Sequence, residues 1–142
     1  LDGWIAYDIA TAQFVFFDST VPAWSFLVSR GIPLIESSVD FSIDSIHNGA
    51  KVVIPDGLSP GIVVTISLFG SNALSNDHTT TIVNLNSNAA TIEMEVGSPQ
   101  DILLLFPDGP VAGVTIDQYG SVTLTKVSST TWLVVGSGVT AI

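Results

Sequence analysis

Short runs of Val, Ile, Thr and aromatic residues are cut every eight to twelve positions or so by Gly, Pro, Asn or Asp. This punctuation runs the length of the chain and is roughly the spacing of β-sandwiches and barrels. No segment carries a helical stripe. In Ser38–Ile46, the best helical candidate, Val39, Phe41 and Ile43 follow the two-residue period of a strand. Strands are predicted near Trp4–Asp8, Gln13–Phe17, Ser25–Val28, Leu34–Val39, Phe41–Ile46, Lys51–Ile54, Ile62–Phe69, Thr79–Leu85, Thr91–Val96, Ile102–Phe106, Gly113–Asp117, Val122–Val127 and Thr131–Val135, with Val139–Ile142 as a tail.

The turns are chemically explicit. Pro55-Asp56-Gly57 and Pro107-Asp108-Gly109 combine a residue that presets φ with one that accepts positive φ. Asn86-Ser87-Asn88 and Ser128-Ser129-Thr130 separate strands at hairpin distance. Each Pro-Asp-Gly turn is followed by a similar strand, Val64-Thr65-Ile66-Ser67-Leu68-Phe69-Gly70-Ser71 and Val114-Thr115-Ile116-Asp117-Gln118-Tyr119-Gly120-Ser121. The pair reads as equivalent positions in two halves of a sandwich, or as shared turn-and-strand vocabulary. Two copies are too few for a solenoid.

At 142 residues the chain has the length of one domain, with or without a small appendage. A boundary is expected at Ser29–Pro33. Before it lie Trp4, Tyr7, Phe14, Phe16, Phe17, Trp24 and Phe26; after it aromatics thin out. Residues 1–28 form a three-strand appendage with too few strands for its own core, and residues 33–142 form the main domain. Trp4, Tyr7, Phe14 and Phe16 are then candidates for contact with a neighbouring subunit or particle, by apolar anchoring and strand addition. The absence of an initiating Met suggests a fragment or processed product.

Charge excludes several functions. Only 11% of residues are charged and the net charge is −10, with Arg30, Lys51 and Lys126 the whole basic complement. Nucleic-acid phosphates and anionic membranes both require more cations than this. Hydrophobic residues reach 46%, yet the longest apolar run, Ile102–Phe106, is of strand length, so membrane insertion is not expected. The apolar excess therefore belongs in a core and between subunits, and a homo-oligomer is expected. With no Cys, disulfides and thiolate metal sites are absent.

No catalytic constellation stands out. His47 precedes the turn dipeptide Asn48-Gly49, and His78 follows Asp77 in the polar stretch 71–81; both read as solvated loop histidines. Glu93 and Glu95 share one face of a strand, opposite Ile92 and Met94, and read as a solvated edge. Asp40, Asp44 and Asp77 do not form a calcium-loop pattern. No nucleophile elbow, phosphate loop or dinucleotide fingerprint exists. No enzyme, cofactor or metal is expected. Trp24, Tyr119 and Trp132 lie beside turn residues and are candidate ligand-binding aromatics, with core packing the competing role.

Two stretches resemble known proteins. Gly3-Trp4-Ile5-Ala6-Tyr7-Asp8, followed by Phe14-Val15-Phe16-Phe17-Asp18-Ser19 and Ala23-Trp24, resembles a hairpin of tail and head appendage proteins of phages and gene transfer agents. In that pattern a tight Asp-Gly-Ser turn leads to the second Trp; here Ser19-Thr20-Val21-Pro22 replaces it. The segment from Gly120-Ser121-Val122 through Lys126 to Trp132-Leu133-Val134-Val135-Gly136 resembles the closing hairpin of phage fibre and spike domains, and Asn48-Gly49-Ala50-Lys51 through Asp56-Gly57 resembles their opening strand. Together these stretches span about a third of the chain.

The resemblance implies a compact, often trimeric β-sandwich displayed on a particle, contacting other virion proteins or a host-surface glycan, with no catalytic residues. The resulting expectation is an all-β protein: an antiparallel, jelly-roll-like sandwich with an N-terminal β-hairpin or three-strand appendage. It would serve at a virion surface as a homotrimeric fibre, spike or capsid decoration. The rival expectation is a carbohydrate-binding module of a secreted protein.

Overall fold

The computed structural model describes residues 5–8, 13–18, 23–26, 32–67, 74–95, 103–106 and 109–142. The chain divides into two compact units, Leu1–Gly31 and Ile32–Ile142. The first holds an antiparallel sheet of β1 (Ile5–Asp8), β2 (Gln13–Asp18) and β3 (Ala23–Phe26), in that order. Its register sets Tyr7 opposite Phe14, Ile5 opposite Phe16 and Phe17 opposite Trp24.

The second unit contains β4 (Leu34–Glu36), β5 (Phe41–Ile43), a 3-10 turn (Ser45–His47), β6 (Lys51–Ile54), β7 (Val63–Ile66), β8 (Thr79–Asn84), β9 (Ala90–Met94), β10 (Leu103–Phe106), β11 (Gly109–Val111), β12 (Gly113–Lys126) and β13 (Thr131–Ala141). The described residues contain no α-helix, so the all-β class holds. The strands form one curled, mixed sheet that forks along β12. The Ser121–Thr125 half of β12 pairs with β8, which continues to β6 and β4. The Gly113–Ile116 half pairs with β9, which continues to β7 and β5. β13 follows β12 antiparallel along both halves and carries β10 and β11 on its far side.

This is not the antiparallel jelly-roll sandwich expected from the sequence. The ladders β4–β6, β6–β8, β5–β7, β7–β9 and β10–β13 are parallel. The cause lies in the connections. Consecutive strands from β4 to β9 alternate between the two branches, so each meets its same-branch neighbour one coil later, running in the same direction. At Pro55-Asp56-Gly57, with Gly57 at φ 84°, the chain turns a corner rather than reversing. Asn86-Ser87-Asn88 likewise joins β8 to β9 across the fork, not as a hairpin. Ser128-Ser129-Thr130 does close a hairpin, β12 to β13.

The similar strands Val64–Ile66 and Val114–Ile116 are not equivalent halves. They flank β9 within one branch, β7 parallel to it and β12 antiparallel, so Val64 and Val114 both pair with Ile92. All three side chains are fully buried.

The inward faces of both branches supply one core. The first contributes Val52, Ile54, Ile82, Val122, Leu124, Trp132 and Val134; the second contributes Ile43, Val64, Ile66, Ala90, Ile92, Val114 and Ile116. Alternation in β8, with Thr80, Ile82 and Asn84 buried and Thr79, Thr81 and Val83 half-buried, is the period-2 signature of a strand with one face inward. Trp132 is 1% exposed and packs in this core. It offers no ring face to a ligand, which corrects its candidacy as a binding aromatic.

Where β12 crosses from one branch to the other, its register with β13 slips between Ile116 and Ser121. An extra-residue slip of this kind bends a strand and raises its twist. Gly120 sits at the bend, and a Cβ there would lie 2.8 Å from the Gly138 carbonyl oxygen and 2.9 Å from that of Asp117.

Candidate functional site

Among the described residues, both histidines and the carboxylate beside His47 are absorbed into the framework. Asp44 caps the 3-10 turn, its Oδ1 accepting from the Ile46 amide at 2.9 Å. The Asp44 amide donates to His47 Nδ1 at 3.0 Å, so that nitrogen acts as an acceptor and the nearby Asp44 carboxylate is not its ion-pair partner. Phe41 stacks on the His47 ring with centroids 5.3 Å apart. His47 is buried, not a solvated loop residue.

His78 is also buried, at 1% exposure, which corrects its reading as a solvated loop tip. Its Nε2 lies 2.8 Å from the Thr80 hydroxyl, and that hydroxyl donates to the His47 carbonyl at 2.8 Å. A hydroxyl has one proton to give, so Nε2 must be the donor to Thr80, which fixes the Nε2–H tautomer. Burial holds the His78 pKa below its ordinary 6.5. Repulsion from His47 in its protonated form and from the Lys126 ammonium pushes the same way, and Asp44 and Asp77 oppose it. The Lys126 ammonium is buried alongside and donates to the Leu74 carbonyl at 2.5 Å.

Among the described residues of the second unit, the other carboxylates are likewise committed or exposed. Asp40 Oδ1 accepts from the Val63 amide at 2.8 Å, and Asp56 Oδ1 from the Ser87 amide at 3.2 Å. Glu93 and Glu95 are exposed, and Glu95 accepts from the Ser67 hydroxyl. Among the described residues no three His, Asp or Glu groups cluster as metal ligands. A shallow cleft of about 300 Å³ lies between the β4–β5 and β6–β7 connections, lined by Ser38, Val39, Asp40, Leu58, Pro60 and Ile62. Its one carboxylate is the Asp40 group that holds Val63, so it presents no acid–base pair.

Two surface features are not consumed in this way. The first is Tyr119, 76% exposed, at the β12 bend with exposed Asp117 and Gln118 beside it. Its φ of 62° places a bulky side chain in the left-handed region. The other ligand candidate, Trp24, lies on β3 opposite Phe17. Among the candidate contact residues, Tyr7, Phe14 and Phe16 occupy the β1–β2 ladder; Trp4 lies outside the described residues.

The second feature is the outer face of the branch built from β6, β8, β13 and the Ser121–Lys126 half of β12. These segments contain no Asp or Glu, in a chain that has 13. Pairing puts Thr81 beside Thr123 and Val135 beyond it, and Thr79 beside Thr125 and then Leu133. The Thr81 and Thr123 hydroxyls bond to each other at 3.1 Å, and Thr79 donates to Thr125 at 3.5 Å. Leu133 is 39% and Val135 51% exposed. Sequence reading recorded these strands but missed the face, because only the pairing order brings the acid-free strands together.

No protein-family model matches the chain, and no curated protein matches it.

Proposed function

We propose that this chain is a non-enzymatic structural protein of a virion surface. It would form part of a trimeric fibre, spike or capsid decoration that attaches to the particle or binds a host surface. The observation that carries this reading is the division of labour among polar groups. His47, His78, Lys126, Asp40 and Asp44 are spent on framework bonds, while a broad sheet face of hydroxyl and apolar residues is left for assembly. The fibre-like pattern from Gly120 to Gly136 spans the long hairpin that builds this face. Antibodies against the chain, applied to purified particles from the source organism, test the proposal. Label on shell or tail supports it, and label confined to particle-free fractions refutes it.

Tyr119 favours a second reading, a carbohydrate-binding module. An exposed ring beside a carboxylate and an amide suits stacking on a sugar while hydrogen-bonding its hydroxyls. Glycan-array binding that disappears in Tyr119→Ala would select this reading.

A further inference from the structure

We propose that the outer face of the β6–β8–β12–β13 branch is the surface on which a second copy of this chain seats. The inference deepens the assembly reading above by naming the surface and its occupant.

Charge selects the occupant. A chain of net charge −10 repels its own copies wherever acidic surfaces meet. Copies approach most readily through a region poor in carboxylates, and β6, β8, β13 and the Ser121–Lys126 half of β12 contain none. The outer face of the other branch carries Glu93.

The same face has one charge of each sign at its β4–β6 margin. Lys51 and Glu36 are both exposed, and neither has an ion-pair partner among the described residues. Their strands pair with Leu34 opposite Lys51 and Glu36 opposite Val53. Around a threefold axis each copy can set its Glu36 against the Lys51 of the next, so the margin is complementary to a neighbouring copy.

The side of the face formed by β8, β12 and β13 is suited to losing water. Leu133 and Val135 supply apolar area, and the Thr81–Thr123 and Thr79–Thr125 pairs already satisfy part of their hydroxyl bonding within the chain. Desolvating such paired hydroxyls costs less than desolvating free ones.

Sedimentation velocity on the full chain at micromolar concentration tests the proposal. The wild-type chain should be oligomeric. Val135→Glu, which places a carboxylate on the apolar β13 side of the face, should weaken association by about a hundredfold or more. Lys51→Glu or Glu36→Lys alone should weaken it by about fivefold, and the double swap should restore it. Ser42→Glu, on the exposed edge of the other branch, should leave it unchanged.

The swaps alter exposed side chains, so they remain informative even if Val135→Glu fails to fold. A monomeric wild-type chain would overturn the interface. So would an oligomer indifferent to the swaps, or a monomer whose melting temperature alone drops in Val135→Glu, since the face would then be covered within the chain. Particle labelling reports separately: labelled particles together with a monomeric protein would remove this interface and leave the virion reading standing.

Discussion

The indole of Trp132 meets the imidazole of His78 edge-on, with ring centroids 5.7 Å apart and planes at 67°. Trp132 pairs with Lys126 across the closing hairpin, and the Lys126 amide donates to the His78 carbonyl at 2.9 Å. The indole thus seals one end of the core over a buried polar group. Trp132→Ala opens a large cavity there and should destabilise the fold by about 3–5 kcal/mol in urea melts. A variant that melts like the wild type but loses glycan or particle binding would show the opposite, that the ring acts at a surface.

Stability should fall on mild acidification because of His78. Its folded-state pKa lies below the ordinary 6.5, so on unfolding below that pH the chain takes up a proton. The contribution is fully present above about pH 6.5 and is lost as pH falls towards and through the folded value, with a slope of at most about 1.4 kcal/mol per pH unit. Asp77, whose carboxyl is held below its ordinary 3.8 by the Ser75 side chain, acts in a separate, more acidic window. His78→Gln should flatten the slope just below about pH 6.5, even if it lowers stability throughout. Urea midpoints at several pH values measure this, and an unchanged slope would assign the titration elsewhere.

Asn84 is fully buried and holds three backbone groups. Its Nδ2 donates to the Ile116 carbonyl at 2.9 Å and the Asn88 carbonyl at 3.1 Å, and its Oδ1 accepts from the Asn86 amide at 3.0 Å. It ties the end of β8 to β12 at the fork. Asn84→Ala leaves these groups short of partners and should cost about 2–4 kcal/mol. Asn84→Asp, nearly the same shape, should also destabilise, because it sets an anion against two carbonyl oxygens. A melting temperature within error of wild type for both variants would show that the loops repack around the site.

Much of the strand content was legible because alternation is local: Lys51–Ile54 and the hairpin around Ser128–Thr130 are read from neighbouring residues. Pairing direction was not legible. Leu34, Lys51 and Thr81 occupy one row of the sheet, but they are unevenly spaced in sequence and share no motif. Gly113–Asp117 and Val122–Val127 read as two strands because the bend between them carries turn residues, yet β12 runs through it. The tail at Val139–Ile142 proves to extend β13 for the same reason. His47 and His78 looked solvated because their sequence neighbours are polar; in the fold His47 stacks on Phe41 from the preceding strand, and His78 meets Trp132, which is distant in sequence.

Gly120 should resist substitution. Besides the two carbonyl oxygens already described, a Cβ there would meet Ile116 Cγ2 at 2.9 Å. Both oxygens belong to backbone, which cannot swing aside as a side chain can. Gly120→Ala should therefore destabilise by about 1–3 kcal/mol. Wild-type stability in this variant would show that the bend between the branches has slack.

Tyr119 should behave in the opposite sense. A bulky residue at φ 62° bears a conformational cost of about 1–2 kcal/mol, which asparagine largely escapes because it tolerates the left-handed region. With 76% of its surface exposed, the tyrosine has little packing to offset that cost. Tyr119→Asn should thus raise stability by about 0.5–1 kcal/mol. If Tyr119 is the sugar platform of the second reading, the same variant should lose glycan binding while melting later, a separation of stability from activity that damage to the fold would not produce. A drop in melting temperature would instead show that the ring is packed, and would count against a free binding surface at this bend.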